Sequence, residues 1–458
     1  MEDRSELIKW VVIWVVVCAV VIRNQWNPKT PSAGLPFAYL LNLTMIHWAG
    51  GLIYTFPWYN PESAYLIHSG VSYANVAAGF KQSVYGVIGF GLGSAILAPW
   101  LLRSLQPSWL QDIPRQPDLK VPKTYLSVGL FFFSVLTPIL SKIPGLTAVS
   151  TSGVALVMVG LCLTCWKAWL LRDTKTFLLW IGFTCIIPLI TVVTMGFIGY
   201  GAAATTVVLI FVFSFYRPRW KVIVIGLLVF ILGLSVFVTY FRDRNDIRDS
   251  VWGGDEFDSK IEQALGTFRS FEIIDPFKQE HLEAIDIRLN QNTLVGQAVH
   301  YMQDNKVNYA MGETLWFAAA AVIPRVLWPG KPAVAGSGNL VSQYTGVKFA
   351  QGTSVGIGQV MEFYINFGAM GVILGFLVFG MAVRIFDMTA GYKLLCGNWT
   401  GFATWFLPGL GMLQPGGALS EVAASVAASI VFVNFINRVL FKEKSQQSPS
   451  YPDNAFDS

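Results

Sequence analysis

The stretch IPRVLWPGKPAVAG at 323–336 holds the residues best suited to chemistry. It sets Arg325 and Lys331 on either side of Trp328, with Pro324, Pro329 and Pro332 restraining the backbone at themselves and at the residue before each. A rigid loop that carries a guanidinium fork and an ammonium point charge suits a phosphate or diphosphate. The same residues would serve equally well as a cationic anchor at a membrane boundary, with Trp328 in the aromatic belt. Downstream, GTSVGIGQVMEFYINFGAMG (352–371) puts Glu362 at the mouth of an apolar run. A carboxylate there can act as a general base or pair with the nearby cations. Arg288 and His300 flank the amide-rich LNQNTLVGQAV and supply a second cation for a diphosphate and a second base. Arg242, Arg244, Arg248 and Arg269 are interleaved with acids and read mainly as a solvated surface network. The four histidines are scattered, with no HExxH spacing and no paired aspartates of the DxD kind, so the chemistry expected needs neither metal nor cofactor. No nucleophile elbow, dinucleotide fingerprint or nucleic-acid motif is present.

These residues need elements to hold them, and composition says which kind. Of 458 residues 54% are hydrophobic and 13% charged, against the roughly one quarter charged of a soluble domain. Charge-free runs at 30–61, 82–102, 124–141, 143–166, 176–216, 222–241, 363–383 and 394–420 approach or exceed the roughly 20 residues that cross a bilayer as a helix. The longest, 176–216, accommodates two spans that turn near Gly199-Tyr200-Gly201. Adding a weak first span from Trp10 to Ile22 and a last one from Val422 to Asn437 gives an all-α polytopic membrane protein with about eleven transmembrane helices. Cys162 and Cys165 form a CxxC inside an uncharged stretch that lacks partner ligands, which argues against a metal or redox site.

Lysine and arginine placement orients the bundle. If the Lys/Arg-free segment 57–80 faces out, the inside loops carry 17 basic residues and the short outside segments only four. The segment 242–361 then lies outside as one large extracytoplasmic loop of short helices. That loop carries 11 basic and 14 acidic residues, and such length without a span usually signals function. The expected organisation is a bundle over 1–241, the loop over 242–361, a second bundle over 362–440 and a disordered cytoplasmic tail over 441–458. Within the loop, Ile261, Leu265 and Phe268 fall at helical spacing, and 257–303 reads as a small helical cap. Thr314–Pro324 is too short to cross and reads as re-entrant or interfacial.

IPRVLWPGKP, followed about thirty residues on by GQVMEFYINFGAMGVILGF, resembles the bacterial oligosaccharide repeat-unit polymerases, the Wzy-like O-antigen polymerase group. The layout of many spans with one dominant late loop is similar too. In that group periplasmic loops carry Arg, ten residues, then Gly; Arg325 with Gly336 and Arg242 with Gly253 match that spacing. The resemblance implies the bacterial inner membrane, a periplasmic loop and an undecaprenyl-diphosphate-linked glycan as substrate. It also implies a repeat-unit flippase and a chain-length regulator as partners. The implied reaction moves a glycan from one lipid diphosphate to a sugar hydroxyl of another. Arg325, Lys331 and Arg288 would meet the diphosphate, and Glu362 or His300 would take the proton. The O-antigen ligases share this layout, and a polysaccharide or lipid transporter without catalysis is the alternative from another class.

These assignments expect Arg325, Lys331 and Glu362 to converge on one outward-opening cavity. Arg325→Ala is expected to abolish long glycan in a deletion strain complemented with the variant, and Arg325→Lys to impair it. Full-length polymer at normal membrane levels of Arg325→Ala would remove that residue from the chemistry.

Overall fold

A computed structural model describes residues 4–27, 30–140, 147–196, 198–216, 220–253, 262–263, 265–267, 269–305, 307–323, 327–331, 337–349 and 355–441. Every regular element among the described residues is helical. In chain order these are α1 (Arg4–Gln25), α2 (Leu35–Leu43), α3 (Ala49–Ile53), α4 (Ala64–His68), α5 (Tyr73–Leu92) and α6 (Ala98–Leu105). They continue as α7 (Val121–Phe131), α8 (Thr137–Leu140), α9 (Thr147–Leu170), α10 (Thr174–Met195), α11 (Ile198–Tyr216) and α12 (Trp220–Gly253). The rest are α13 (Gln279–Leu289), α14 (Asn292–Asp304), α15 (Glu313–Ala321), α16 (Ser337–Thr345), α17 (Gln359–Leu395), α18 (Trp399–Gly411) and α19 (Leu419–Leu440). Single π-turns at Thr44–Trp48, Gly93–Leu97 and Phe132–Leu136 join α2 to α3, α5 to α6 and α7 to α8. Seven helices among the described residues are long and apolar enough to cross a membrane. Their outward faces carry bare apolar side chains, as on α1, where Ile8, Val12, Val15, Val16 and Val20 are exposed while Leu7, Trp14 and Val21 are buried. Such surface is stable against lipid and not against water. The chain is a helical, membrane-embedded protein.

The turn inside 176–216 falls at Gly196, three residues before the glycines that suggested it. Gly196 takes φ 73° and its N–H closes on Val192 O, ending α10 in the left-handed conformation that glycine tolerates best. The first helix is also longer than its apolar run, reaching from Arg4 to Gln25.

The largest departure concerns the expected cap. Ile261 and Phe268 lie outside the described residues. The later part of the segment, α13 and α14, does not sit above the bundle as a separate unit but enters it. In α14, Asn292, Val295, Ala298 and Met302 are buried against α5. Glycines make this possible. A Cβ on Gly296 would lie 1.7 Å from Asn75 O, and one on Gly79 would lie 2.0 Å from Asn292 O, so the two backbones touch where neither helix carries a side chain. The π-turn that continues α5 repeats the device against α17, where a Cβ on Gly93 would lie 2.0 Å from Leu377 O. Close backbone approach through small residues is a usual way for helices to pack in lipid.

At the opposite end of the bundle Asp387, fully buried, accepts from Ala33 N (2.9 Å), Leu35 N (3.0 Å) and Ser32 Oγ (2.7 Å), which caps the start of α2. Arg384 pairs with the same carboxylate. This buried pair fixes α2 against α17, and so fixes where α3 emerges beside α13.

Gly296→Val is expected to separate α14 from α5 and to lower the apparent melting temperature of the purified protein, since overpacking costs about 1–3 kcal/mol. Gly182→Ala, where a Cβ meets nothing within 4 Å, serves as the helical control and should be neutral or stabilising. Equal behaviour of the two variants would contradict the packing described.

Candidate functional site

Where the apolar part of α12 gives way to polar residues, the helix presents Phe241, Arg244 and Arg248 at i, i+3 and i+7, one face of an α-helix. Arg288, from the last turn of α13, meets this face. The Arg244 guanidinium carbon lies 4.9 Å from the Phe241 ring centroid and that of Arg288 5.8 Å, both within cation–π range. Burial, then the neighbouring Arg288 and Arg248 charges, lower the pKa of Arg244; burial, with a further contribution from Arg248, lowers that of Arg288. Among the described residues no ion pair joins Arg244 or Arg288 to a carboxylate. Like charges held together on an aromatic ring are stabilised by any anion that enters between them.

Three sets of contacts hold this arrangement. Glu272 accepts from Arg242, from Lys278 (2.9 Å) and from His281 Nε2 (2.9 Å), so the strand of chain after α12 is tied to both α12 and α13. Backbone bonds from Glu272 N to Thr239 Oγ1 (3.1 Å) and Ile274 N to Ser235 Oγ (3.0 Å) continue the tie. Asp286, buried two residues before Arg288, accepts from Tyr54, Tyr59 and Asn290, each at 2.6 Å, and so anchors α13 to the end of α3. At about 1.5–3 kcal/mol for a hydrogen bond to a charged group, this is a strong anchor. Burial pushes its carboxyl above the ordinary range, and the three donors oppose that shift. Finally Glu283 accepts from Glu62 N (2.7 Å) and Ser63 N (2.9 Å), setting the start of α4 so that Tyr65 stands near Arg288.

The second feature is His300 on α14. Its Nδ1 meets Asn75 Oδ1 at 2.7 Å, while Asn75 Nδ2 donates to Gly70 O at 2.9 Å. The Gly70 carbonyl fixes the amide orientation, so the amide oxygen faces the ring, the proton sits on Nδ1, and Nε2 carries the lone pair. This is the tautomer a general base requires.

The residues singled out earlier are distributed as follows. Arg325 and Gly336 lie outside the described residues. Lys331 closes a Trp328-Pro329-Gly330-Lys331 turn through Lys331 N to Trp328 O (3.1 Å), and its Nζ donates to Ile323 O (3.1 Å). Glu362 is 2% exposed and accepts from Leu419 N at 2.7 Å, the first residue of α19. That is the setting of a carboxylate that caps a helix, sealed from the loop cations. Among the described residues no hydrogen bond or ion pair joins Lys331 to Glu362. Arg288 and His300 both stand in polar settings at the same end of the bundle. Arg242 and Arg244, treated together on sequence, separate: Arg242 belongs to the Glu272 network and Arg244 to the cationic cluster. The signal for the cluster was present as the Phe241, Arg244, Arg248 stripe. Its meeting with Arg288 was not readable, because it depends on α13 being drawn in by Asp286.

Residues 113–447 match a family described as a domain of unknown function, DUF8712. The chain belongs to that family. The match takes in α7 to α19, and so the cationic cluster, His300 and Glu362, while α1 to α6 precede it. No curated protein and no solved structure matches the chain.

Neighbouring cations hold the Glu272 carboxyl down at about 2, first through Lys278, His281 and Arg242. A depressed carboxyl contributes stability in full above its ordinary value near 4.5 and loses it as pH falls through the lowered one. The melting temperature of the wild type should therefore fall between pH 4.5 and 2 more steeply than that of Glu272→Gln. Parallel curves would mean that this network does not hold the loop.

Proposed function

We propose that this protein joins oligosaccharide repeat units carried on undecaprenyl diphosphate, at the outer face of the bacterial inner membrane, by glycosyl transfer without a metal. The observation that carries the reading is the Arg244, Arg248 and Arg288 cluster at the end of the apolar part of α12, the depth at which a lipid-borne diphosphate would lie. Seven helices among the described residues are long and apolar enough to cross a membrane, and the reading takes α2–α3, α7–α8, α12 and α18 as four further crossings. With the basic loops inside, this faces the cluster outward.

In this scheme the acceptor hydroxyl oxygen bonds to the anomeric carbon of the donor sugar as the bond from that carbon to the diphosphate oxygen breaks. The diphosphate leaves as an anion whose added charge meets the guanidinia, which are fixed before reaction and so lower the barrier. The hydroxyl proton passes to His300 Nε2, which Asn75 holds in the accepting tautomer. Lys331 adds a further positive charge in the segment that follows α15. Glu362 keeps a positioning role, since its partner is the α19 amide.

Arg244→Ala and Arg288→Ala are each expected to cut polymer formation about 10²- to 10³-fold, the usual loss when one preorganised donor to a developing anion is removed. The check is glycan length in a complemented deletion strain, with the lipid-linked pool analysed beside it. Accumulation of single lipid-linked repeat units supports polymerisation; accumulation of long lipid-linked polymer indicates a ligase. Normal glycan in both variants would overturn the proposal.

A further inference from the structure

A cavity of about 490 Å³ opens between α1, α5 and α14, at the end of the bundle that carries the cationic cluster. Its walls include Glu6, Trp10, Tyr73, Lys81, Gln82 and Gln303, with Ala77, Ala78 and Val299 between them. Two buried polar atoms here have no hydrogen-bond partner among the described residues: the acceptor Gln82 Oε1 and the donor Trp10 Nε1. Gln82 is only 8% exposed. Buried polar atoms are seldom left unsatisfied, at a cost of about 1–3 kcal/mol each, so both call for an occupant. Trp10 meets Tyr85 edge-on at 5.6 Å, which fixes the indole, and Lys81 and Glu6 approach to 3.8 Å at the rim.

We infer that this cavity binds one sugar ring of a saccharide. The chemistry of the two orphaned atoms decides among occupants. An acyl chain satisfies neither. A phosphodiester would accept from Trp10 Nε1 and Lys81 but has no proton to give Gln82 Oε1, and any phosphate would be repelled by Glu6. Sugar hydroxyls both donate and accept, so one ring can meet the amide oxygen and the indole N–H together. Its C–H face then packs on aromatic surface from Trp10, Tyr73 and Tyr85. The volume lies within the range of small-molecule sites. Val299 and Gln303 flank His300 on α14, so the cavity wall and the oriented histidine share one helix. The inference rests on the proposed glycan chemistry in that this ring would belong to the acceptor, whose hydroxyl is to be presented to His300.

The test is saturation-transfer NMR on the full-length protein in nanodiscs, with methyl glycosides of glucose, galactose and N-acetylglucosamine at millimolar concentration. At least one glycoside should receive saturation. Gln82→Leu and Trp10→Phe should each weaken it about tenfold or more, and Ala77→Phe, which fills the space, should abolish it. Native mass spectrometry of the wild type provides a reading that needs no variant: a phospholipid retained in wild type and lost in Ala77→Phe would make the cavity a lipid site and overturn the inference. So would the absence of transfer from all three glycosides, or transfer that all three variants leave unchanged. Arg288→Ala should keep glycoside binding. Binding that persists while the arginine variants still make normal polymer would sink the proposed reaction and leave the sugar site standing. Loss of polymer in the arginine variants without glycoside binding would do the reverse.

Discussion

Everything at the functional end of this molecule depends on two backbones touching. Gly79 and Gly296 let α14 lie against α5 at distances no side chain would permit. That contact draws part of a polar segment into an apolar bundle, and the polar groups it brings must be satisfied there. Asn292 meets this need by accepting at His47 Nδ1 and Ser83 Oγ and donating to His47 O. Asn290 passes the network on to Asp286, and Asp286 to Tyr54 and Tyr59. The result is a continuous hydrogen-bonded line from within the bundle to its outer end. Each of these bonds favours one position for α13 and α14, since the same polar groups left without them would cost more than apolar ones.

Function follows from that position. With α13 held by Asp286, Arg288 meets the α12 face, where it shares the Phe241 ring with Arg244. With α14 held by its glycine, His300 meets Asn75 and takes a defined tautomer. The cluster carries the charge repulsion of its neighbours without a carboxylate bonded to Arg244 or Arg288. A structural surface network is built differently, as Glu272 shows by gathering Arg242, Lys278 and His281 onto one acid. Two arginines two residues apart on α12 thus have different physical roles.

Much of the architecture was legible in the sequence, because apolar length and charge placement are direct statements about lipid. Boundaries moved where local backbone chemistry intervened, as at Gly196, whose left-handed cap ends α10 before the Gly199 and Gly201 that drew attention. The fate of 279–304 was not legible. Its apolar residues do fall at helical spacing, as at Val295, Ala298, Val299 and Met302, but spacing does not say what that face packs against; the partner is set by glycine contacts and amide pairing with α5 and α3. The surroundings of Glu362 were not legible for a related reason. A carboxylate at a helix mouth looks available for chemistry, yet the partner that occupies it, Leu419 N, lies 57 residues on and belongs to another helix. Arg288 and His300 were recognisable as residue types, whereas their companions Arg244 and Asn75 emerge only from helix packing.

The central claim is that a lipid-borne diphosphate sits between guanidinia of α12 and α13. The most direct measurement is a cryo-EM structure of the protein in nanodiscs with undecaprenyl diphosphate added. The account predicts density for both phosphates within hydrogen-bond reach of Arg244 and Arg288, above the Phe241 ring, with the polyprenyl chain running down the apolar part of α12. A diphosphate seated elsewhere, with the arginines unchanged and facing only water, would contradict it.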